Sequence, residues 1–359
     1  MKFIQIVAKI SKNVQGLGLQ NYHAISPNIM NNAGYKTDVV IHSTDGIYTN
    51  KQLGLNNDIS VKYISGLRYI LYLIKNRNNI IFSNSRVPQS LIAGIFGGKR
   101  TVFMSHTEVL PAGYRKYILK FFLKFFRKIR VATPYGKQKL IELGINPTRI
   151  FIVPHVIDVD LFFKKTNKNL TYKKYKLNKN NINLITISNM RKIKYPHVLL
   201  NAIKILSKKY PNIQLIIVGR DLLHEQGLKS VKEQAKELGI SDKIIMLGHI
   251  KHSNIPPLLQ ICDIMVFSSK AEGHCQIAYE GIAAGNALCV SRIGSFTSVF
   301  PNSALFHNYT DSKQLAKNIE KYLSKTKLAK KHVTENRTIL KNYMYGVVSK
   351  KLLKLFEVW

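Results

Sequence analysis

Acidic side chains are scarce in this chain. Asp and Glu together number 19 among 359 residues, against 55 Lys and Arg, which leaves a formal charge of +36. A field this positive disfavours cationic partners and suits anionic ones: nucleic acid, an anionic membrane or an acidic polymer. The excess is spread evenly, with 22 basic and 7 acidic residues in 1–163 and 33 and 12 in 164–359. A nucleic-acid module more often concentrates its charge on one tail or stripe, so nucleic acid is not the expected partner. Cysteine is also sparse. The 3 thiols, Cys262, Cys275 and Cys289, are too few and too odd in number for a disulfide framework, and they fit a reducing compartment. No C-x-x-C pair occurs and the histidines are scattered, so no zinc site is expected. Long apolar runs are missing too. The opening ten residues are interrupted by Gln5 and Lys9 and read as a first buried strand, not a secretory segment. The expected location is the cytoplasm, with the protein resting on the inner face of the plasma membrane.

What is present is globular. Hydrophobic residues make up 45 % of the chain and charged residues 21 %, enough apolar side chains for large cores but too much chain for one. Short apolar runs at 3–8, 38–42, 61–64, 79–82, 100–104, 129–132 and 150–153 predict strands, alternating with helical stretches such as 19–33, 66–76, 88–96 and 113–127. Residues 164–181 are Lys- and Asn-rich with few apolar anchors and read as a linker or peripheral excursion. The alternation restarts with strands at 182–188, 213–218, 243–247, 263–267, 287–290 and 304–306 and helices at 196–209, 225–238, 254–261, 275–284 and 312–323. This is an α/β chain of two doubly wound, Rossmann-like domains with a ligand cleft between them. We place the first at 1–163 and the second at 164–341, with a C-terminal helix at about 342–359 that packs back onto the first.

The segment with most chemistry runs Glu272-Gly273-His274-Cys275-Gln276-Ile277-Ala278-Tyr279-Glu280, then Gly281-Ile282-Ala283-Ala284-Gly285. It follows the apolar strand Ile264-Met265-Val266-Phe267, so Glu272 falls near a strand's carboxyl end and Glu280 inside the next helix. Eight residues is a little over two turns, which lets both carboxylates face one cleft. A carboxylate there can accept two sugar hydroxyls.

This E-x7-E stretch resembles the signature of the retaining glycosyltransferases of family 4, the glycosyl transferases group 1 domain. Other landmarks fall in the same order: Gly16-Leu17-Gly18 after the first strand, Ser105-His106 after the fifth, the 154–162 stretch beginning Pro154-His155-Val156-Ile157-Asp158, Asn189-Met190-Arg191-Lys192-Ile193-Lys194, Ile216-Ile217-Val218-Gly219 and Met246-Leu247-Gly248. The likeness runs from about residue 3 to 325. It implies a GT-B architecture, an N-terminal acceptor domain followed by a nucleotide-sugar domain. It also implies that Glu280 holds the ribose, Glu272 contacts the sugar ring, Arg191 and Lys194 neutralise the diphosphate, the Gly16/Gly18 loop helps bind the donor, and His106 supports the transferred sugar. The sequence departs from that pattern in three places. Arg191 lies three residues before Lys194 where the family spaces them by five positions. His155-Val156 stands for Asn-Gly, and Cys275 stands where the signature often has glycine.

Asp158-Val159-Asp160 imitates a D-x-D metal motif, but it falls in the family's inter-domain segment, and the cations at Arg191 and Lys194 make a metal partly redundant. No metal and no resident cofactor are expected, the nucleotide sugar being a co-substrate. Residues 114–130 hold seven basic, six aromatic and no acidic side chains. At helical spacing Lys116, Lys120, Lys124 and Arg127 form one face, Ile118, Phe121, Phe122, Phe125 and Ile129 another, with Tyr117 and Phe126 at the border. This predicts an interfacial helix that meets an anionic membrane through Lys116, Lys120 and Lys124. The expected activity is retaining, metal-independent transfer of a sugar from a nucleotide-diphosphate donor to a hydroxyl of a surface glycan or lipid-linked precursor, such as lipopolysaccharide or capsule. The alternatives are another enzyme on the same fold, an epimerase or a phosphorylase, and a basic nucleic-acid-binding protein.

Overall fold

The computed structural model describes residues 1–10, 19–44, 46–84, 87–105, 113–220 and 227–357. They fall into two compact units, Met1–Val156 with Tyr345–Trp359, and Ile157–Met344.

The first unit is built on seven parallel strands: β1 Lys2–Ile10, β2 Lys36–Thr44, β3 Ser60–Tyr63, β4 Ile80–Asn84, β5 Thr101–Met104, β6 Lys128–Val131 and β7 Ile150–Ile152, in the order β3-β2-β1-β4-β5-β6-β7. Its strands are mostly apolar on both faces, as a parallel sheet covered on both sides requires, with Gln5, Asp38, Lys128 and Arg130 among the buried exceptions. Along β1, Phe3 joins a core with the helices Leu19–Asn32 and Tyr345–Glu357, while Ile4 and Ile6 join a core on the opposite face with the helices Gly66–Lys75 and Val87–Phe96.

The helix Tyr345–Glu357 belongs to the first unit through Val348, Leu352, Leu355 and Phe356, whose ring meets Phe3 at 5.2 Å and Phe82 at 5.5 Å. Its C-terminal turn is tied down by the buried Lys128, whose Nζ donates to the Leu355 carbonyl. A cation at a helix C-terminus complements the exposed carbonyls there. Burial first, and Arg127 second, hold the Lys128 ammonium below the usual lysine value.

The second unit carries β8 Ile182–Ile187, β9 Ile213–Val218, β10 Ile244–Gly248, β11 Ile264–Phe267, β12 Ala287–Ser291 and β13 Leu305–His307, all parallel, in the order β10-β9-β8-β11-β12-β13. Helices cover both faces. In each sheet the winding reverses direction once, between β1 and β4 and between β8 and β11. That reversal opens a crevice at the carboxyl ends of the two strands, where ligands of such sheets bind.

Four sequence expectations change. The junction falls after Val156, not after residue 163, because Val159 and Phe162 are buried in the second unit's core beside Leu258 and Tyr279. Residues 164–181 are not an excursion: they form the helix Lys168–Lys174, with Thr171 buried, and Gln260 accepts from the Thr166 backbone N–H at 3.0 Å and hydroxyl at 2.8 Å. The helix expected at 113–127 is only Arg115–Leu123. Arg149 Nη2 caps its end by donating to the Leu123 carbonyl at 2.6 Å and to that of Phe126. Phe126, expected at a membrane border, is instead 1 % exposed and packed on Phe103 and Phe122.

Candidate active site

Two loops leave the reversal point of the second sheet. After β8 the chain runs through Ser188–Arg191 into a single turn, Lys192–Lys194. After β11 it runs from Ser268 to Cys275 and enters the helix Gln276–Ala284. The loops are stitched together. The Ser268 hydroxyl donates to the carbonyls of Lys194 at 2.7 Å and Tyr195 at 2.9 Å, and the Lys270 N–H donates to the Ile193 carbonyl at 2.9 Å. Tyr195 is held in the left-handed region, at φ 49°, a conformation costly for a residue with a Cβ. Its ring packs edge-on against Tyr309 at 5.0 Å. Gly219 at the end of β9 completes the frame: a Cβ there would lie 2.1 Å from the Ser188 carbonyl oxygen, so only glycine fits beside this loop.

This bracing brings Lys194 and Glu272 into contact. Lys194 Nζ donates to both carboxylate oxygens at 2.7 Å, and Ser269 Oγ adds a third hydrogen bond. The Glu272 side chain is 10 % exposed and that of Lys194 21 %. A cation so placed, at strand carboxyl ends and paired to a carboxylate, can transfer its hydrogen bonds to an incoming anion. Arg191 stands at the start of the same turn with its side chain exposed.

Glu280 lies on the buried face of the Gln276–Ala284 helix and is 7 % exposed. It pairs not with a sequence-predicted residue but with His252, whose Nε2 is 2.9 Å from its Oε1. The hydrogen bond to Glu280 raises the imidazole pKa above the usual histidine value, against desolvation that lowers it. His252 opens the turn His252–Asn254 soon after β10, and Phe162 meets its ring edge-on at 5.6 Å. Nothing in the sequence links it to Glu280, 28 positions away. The loop before the helix is shaped by an aromatic stack that no sequence pattern announces: His274 lies 4.5 Å from Tyr279 at an interplanar angle of 10°, and Tyr343 sits 4.4 Å from Tyr279.

Asp158 Oδ1 accepts from the Leu161 N–H at 3.3 Å and caps the helix Val159–Phe163, while Asp160 lies in that helix's first turn. Among the described residues no three His, Cys, Asp or Glu side chains converge. Gly16, Gly18 and His106 lie outside the described residues.

The helix Arg115–Leu123 turns Phe122 and Leu123 into the core and leaves Tyr117, Ile118 and Phe121 exposed, beside the exposed Lys116 and Lys124. Ile118 and Phe121, placed by helical spacing on one apolar face with Phe122, are thus separated from it and lie on the outside. Lys120 is half-buried, its Nζ lying over Gly144. The helix Val87–Phe96 contacts both this helix and Gly66–Lys75, which exposes a second apolar row, Leu67, Leu71 and Ile74. Among the described residues no helix is long and apolar enough to cross a membrane.

The family model for glycosyl transferases group 1 matches residues 167–338. Among curated relatives, a phosphatidylinositol N-acetylglucosaminyltransferase subunit of Arabidopsis thaliana is 23 % identical over 52 % of this chain and 39 % of its own length. Spore coat protein SA of Bacillus subtilis is 25 % identical over 48 % of each chain. The chain thus spans about half or less of these relatives' length. Among solved structures, Anabaena HepE in complex with UDP superposes with a TM-score of 0.83 over the whole of both chains at 16 % identity. A glycosyltransferase from Rickettsia africae gives 0.80 at 22 % identity, covering 99 % of this chain and 98 % of that one. These are likenesses of fold. A parallel sheet reversing at β8 and β11, the Lys194–Glu272 contact at that point and the E-x7-E helix behind it accompany the family match: the second unit is similar to the glycosyl transferases group 1 domain over most of its length, on a chain whose fold is GT-B.

Proposed function

We propose that the chain transfers a sugar from a nucleotide-diphosphate donor to a hydroxyl of a surface glycan or a lipid-linked precursor, with retention of anomeric configuration and without a metal. The observation that carries this reading is the Lys194–Glu272 contact at the reversal point of the second sheet, with Glu280 buried on the helix that follows. In this reading the donor diphosphate takes Lys194 from Glu272. Glu272 is freed toward the sugar ring, Glu280 accepts from the ribose hydroxyls, and Arg191 adds a second cation. The bond between the anomeric carbon and the diphosphate oxygen breaks, and its electron pair leaves with the nucleotide. The acceptor oxygen bonds to the same face of that carbon, and its proton passes to the departing diphosphate. Fixed cations suit a leaving group whose charge grows as the bond breaks. Other proteins of this fold lend support: HepE is crystallised with UDP and with UDP-glucose, and WaaG, a neighbour of TM-score 0.72, is a glycosyltransferase involved in lipopolysaccharide biosynthesis.

The test is a panel of nucleotide-diphosphate sugars assayed for slow release of nucleotide with water as acceptor. One donor is expected to be consumed well above the rest, with undiminished rate in EDTA. Loss of turnover in EDTA and its return with Mg²⁺ or Mn²⁺ would reopen a metal role for Asp158 and Asp160, and no turnover of any donor removes the reading. Tight, salt-steep binding in a nucleic-acid filter assay would favour the basic-protein alternative.

The acceptor side of the proposal is an anionic membrane on the cytoplasmic face. Its support is the exposed Tyr117, Ile118 and Phe121 flanked by Lys116 and Lys124, the second exposed row on Gly66–Lys75, and the absence of acidic residues from all three helices of this face. Each basic residue near an anionic surface contributes on the order of 1 kcal/mol, so a few give reversible attachment. The wild type is expected to sediment with anionic vesicles, to stay in solution with neutral ones and to be released by high salt. Changing Lys116, Lys120 and Lys124 to Glu should abolish sedimentation. A folded triple variant that sediments equally well removes this helix as the contact.

A further inference from the structure

We propose that His252 is a positioning residue for the donor nucleotide: it holds one oxygen of Glu280, fixes the carboxylate's orientation toward the ribose, and makes donor affinity depend on pH. The inference rests on Glu280 being the ribose acceptor. His252 belongs to a different segment from the E-x7-E helix, yet its Nε2 lies 2.9 Å from an oxygen of the buried Glu280, and Phe162 packs against its ring from the side. A carboxylate 7 % exposed has few ways to satisfy its second oxygen, and a buried carboxylate left partly unpaired is costly. His252 supplies one partner and leaves the remaining acceptor capacity for the ligand.

The protonation state matters because an imidazolium draws the carboxylate's charge toward itself and competes with the ribose hydroxyls, whereas a neutral imidazole competes less. The charged groups acting on His252 are Glu280, in contact, and Asp158 at the start of Val159–Phe163. The helix Ile255–Leu259, which continues the His252 turn, carries no charged residue. Both neighbours are acidic and both favour the imidazolium in the free protein. Donor binding, by drawing on Glu280, is therefore opposed at acidic pH. Affinity rises as pH climbs through the raised imidazole value. The sign is opposite for stability. The pair stabilises the free fold most at acidic pH, and that contribution fades as pH rises through the same value.

The experiment measures dissociation constants for UDP-glucose, UDP-N-acetylglucosamine, GDP-mannose and ADP-glucose by calorimetry. The tightest of the four is then followed from about pH 5.5 to about pH 8.5, a window chosen to span histidine titration. Nucleotide sugars suit this test because their diphosphate, esterified at both ends, does not titrate in that window. Wild-type affinity is expected to rise about tenfold across it. His252→Gln keeps a hydrogen-bond donor near the Nε2 position and should be flat within about twofold at the high-pH affinity. His252→Ala should be flat and weaker throughout, and the recovery from Ala to Gln separates positioning from mere filling of space. A His252→Gln slope equal to the wild type, or His252→Ala binding as tightly as the wild type at high pH, overturns the proposal. Glu280→Gln tests the underlying reading separately. If it leaves affinity unchanged, or if none of the four donors binds the wild type, the ribose assignment fails and the proposal with it. If Glu280→Gln weakens binding but the His252 variants behave as wild type, only the role of His252 fails.

Discussion

Replacing Lys194 by alanine is expected to lower turnover by about 100- to 1,000-fold, the usual loss when one fixed group facing a developing charge is removed. The reason lies in what Lys194 does before the donor arrives. Its ammonium is shared between the two oxygens of Glu272, and the loop that carries it is pinned by Ser268 and Lys270. A donor diphosphate must take over those hydrogen bonds. Because the charge on the leaving group grows along the reaction, the interaction is stronger in the transition state than in the bound donor. The loss should therefore fall mainly on kcat and less on KM. The variant also leaves Glu272, 10 % exposed, without its cation, so the thermal unfolding midpoint should be measured beside the kinetics. Lys194→Arg, which keeps the charge in a different geometry, should recover part of the rate. Wild-type kcat in Lys194→Ala would remove the assignment of this lysine to the diphosphate.

Replacing Glu280 by alanine is expected to weaken nucleotide binding about 100-fold, or about 3 kcal/mol, since hydrogen bonds to a charged acceptor contribute about 1.5–3 kcal/mol each and two such bonds are not additive. The measurement is a cycle: wild type and variant, each with a ribonucleotide and its 2′,3′-dideoxy analogue. The wild type should discriminate strongly between the two and the variant hardly at all. A general loss of structure would weaken both ligands equally, so equal discrimination by both proteins removes Glu280 from the ribose. His252 loses its carboxylate in the variant as well, so its pKa should fall back toward the ordinary histidine value.

The strands and most helices were legible because each follows one dominant period. Apolar runs such as Ile264–Phe267 and Ile213–Val218 are buried on both faces and need no tertiary information to be recognised. The segment carrying Glu272 and Glu280 stands out in the sequence because acids are rare here and Glu280 sits among apolar and glycine neighbours. What escaped depends on contacts between distant segments. His252 becomes interesting only when β10 and the Gln276–Ala284 helix are placed side by side. Phe126 looked like a border residue because helical spacing was extended past Leu123, where Arg149, distant in sequence, caps the helix instead. Residues 164–181 looked solvated because few of their side chains are apolar, yet Thr171 and Leu177 are buried. The helix Thr326–Leu340 was missed because its interior partners include His332 and Asn336, polar residues buried through hydrogen bonds to Tyr322 and Ser303.

The return of the helix Tyr345–Glu357 to the first unit sets an order on synthesis. Phe3 and Phe82 emerge from the ribosome early, but the rings and aliphatic side chains that cover them, Phe356, Leu352 and Val348, belong to a segment made more than 250 residues later. Throughout that interval one side of the β1–β4 sheet has the helix Leu19–Asn32 but lacks the rest of its cover, while all of Ile157–Met344 is translated and has every one of its own strands to hand. The later-coded unit can thus complete its core while the earlier-coded one is still waiting. A ribosome stall shortly upstream of residue 345 leaves a nascent chain with this apolar face only partly covered, a natural place for a chaperone to hold it.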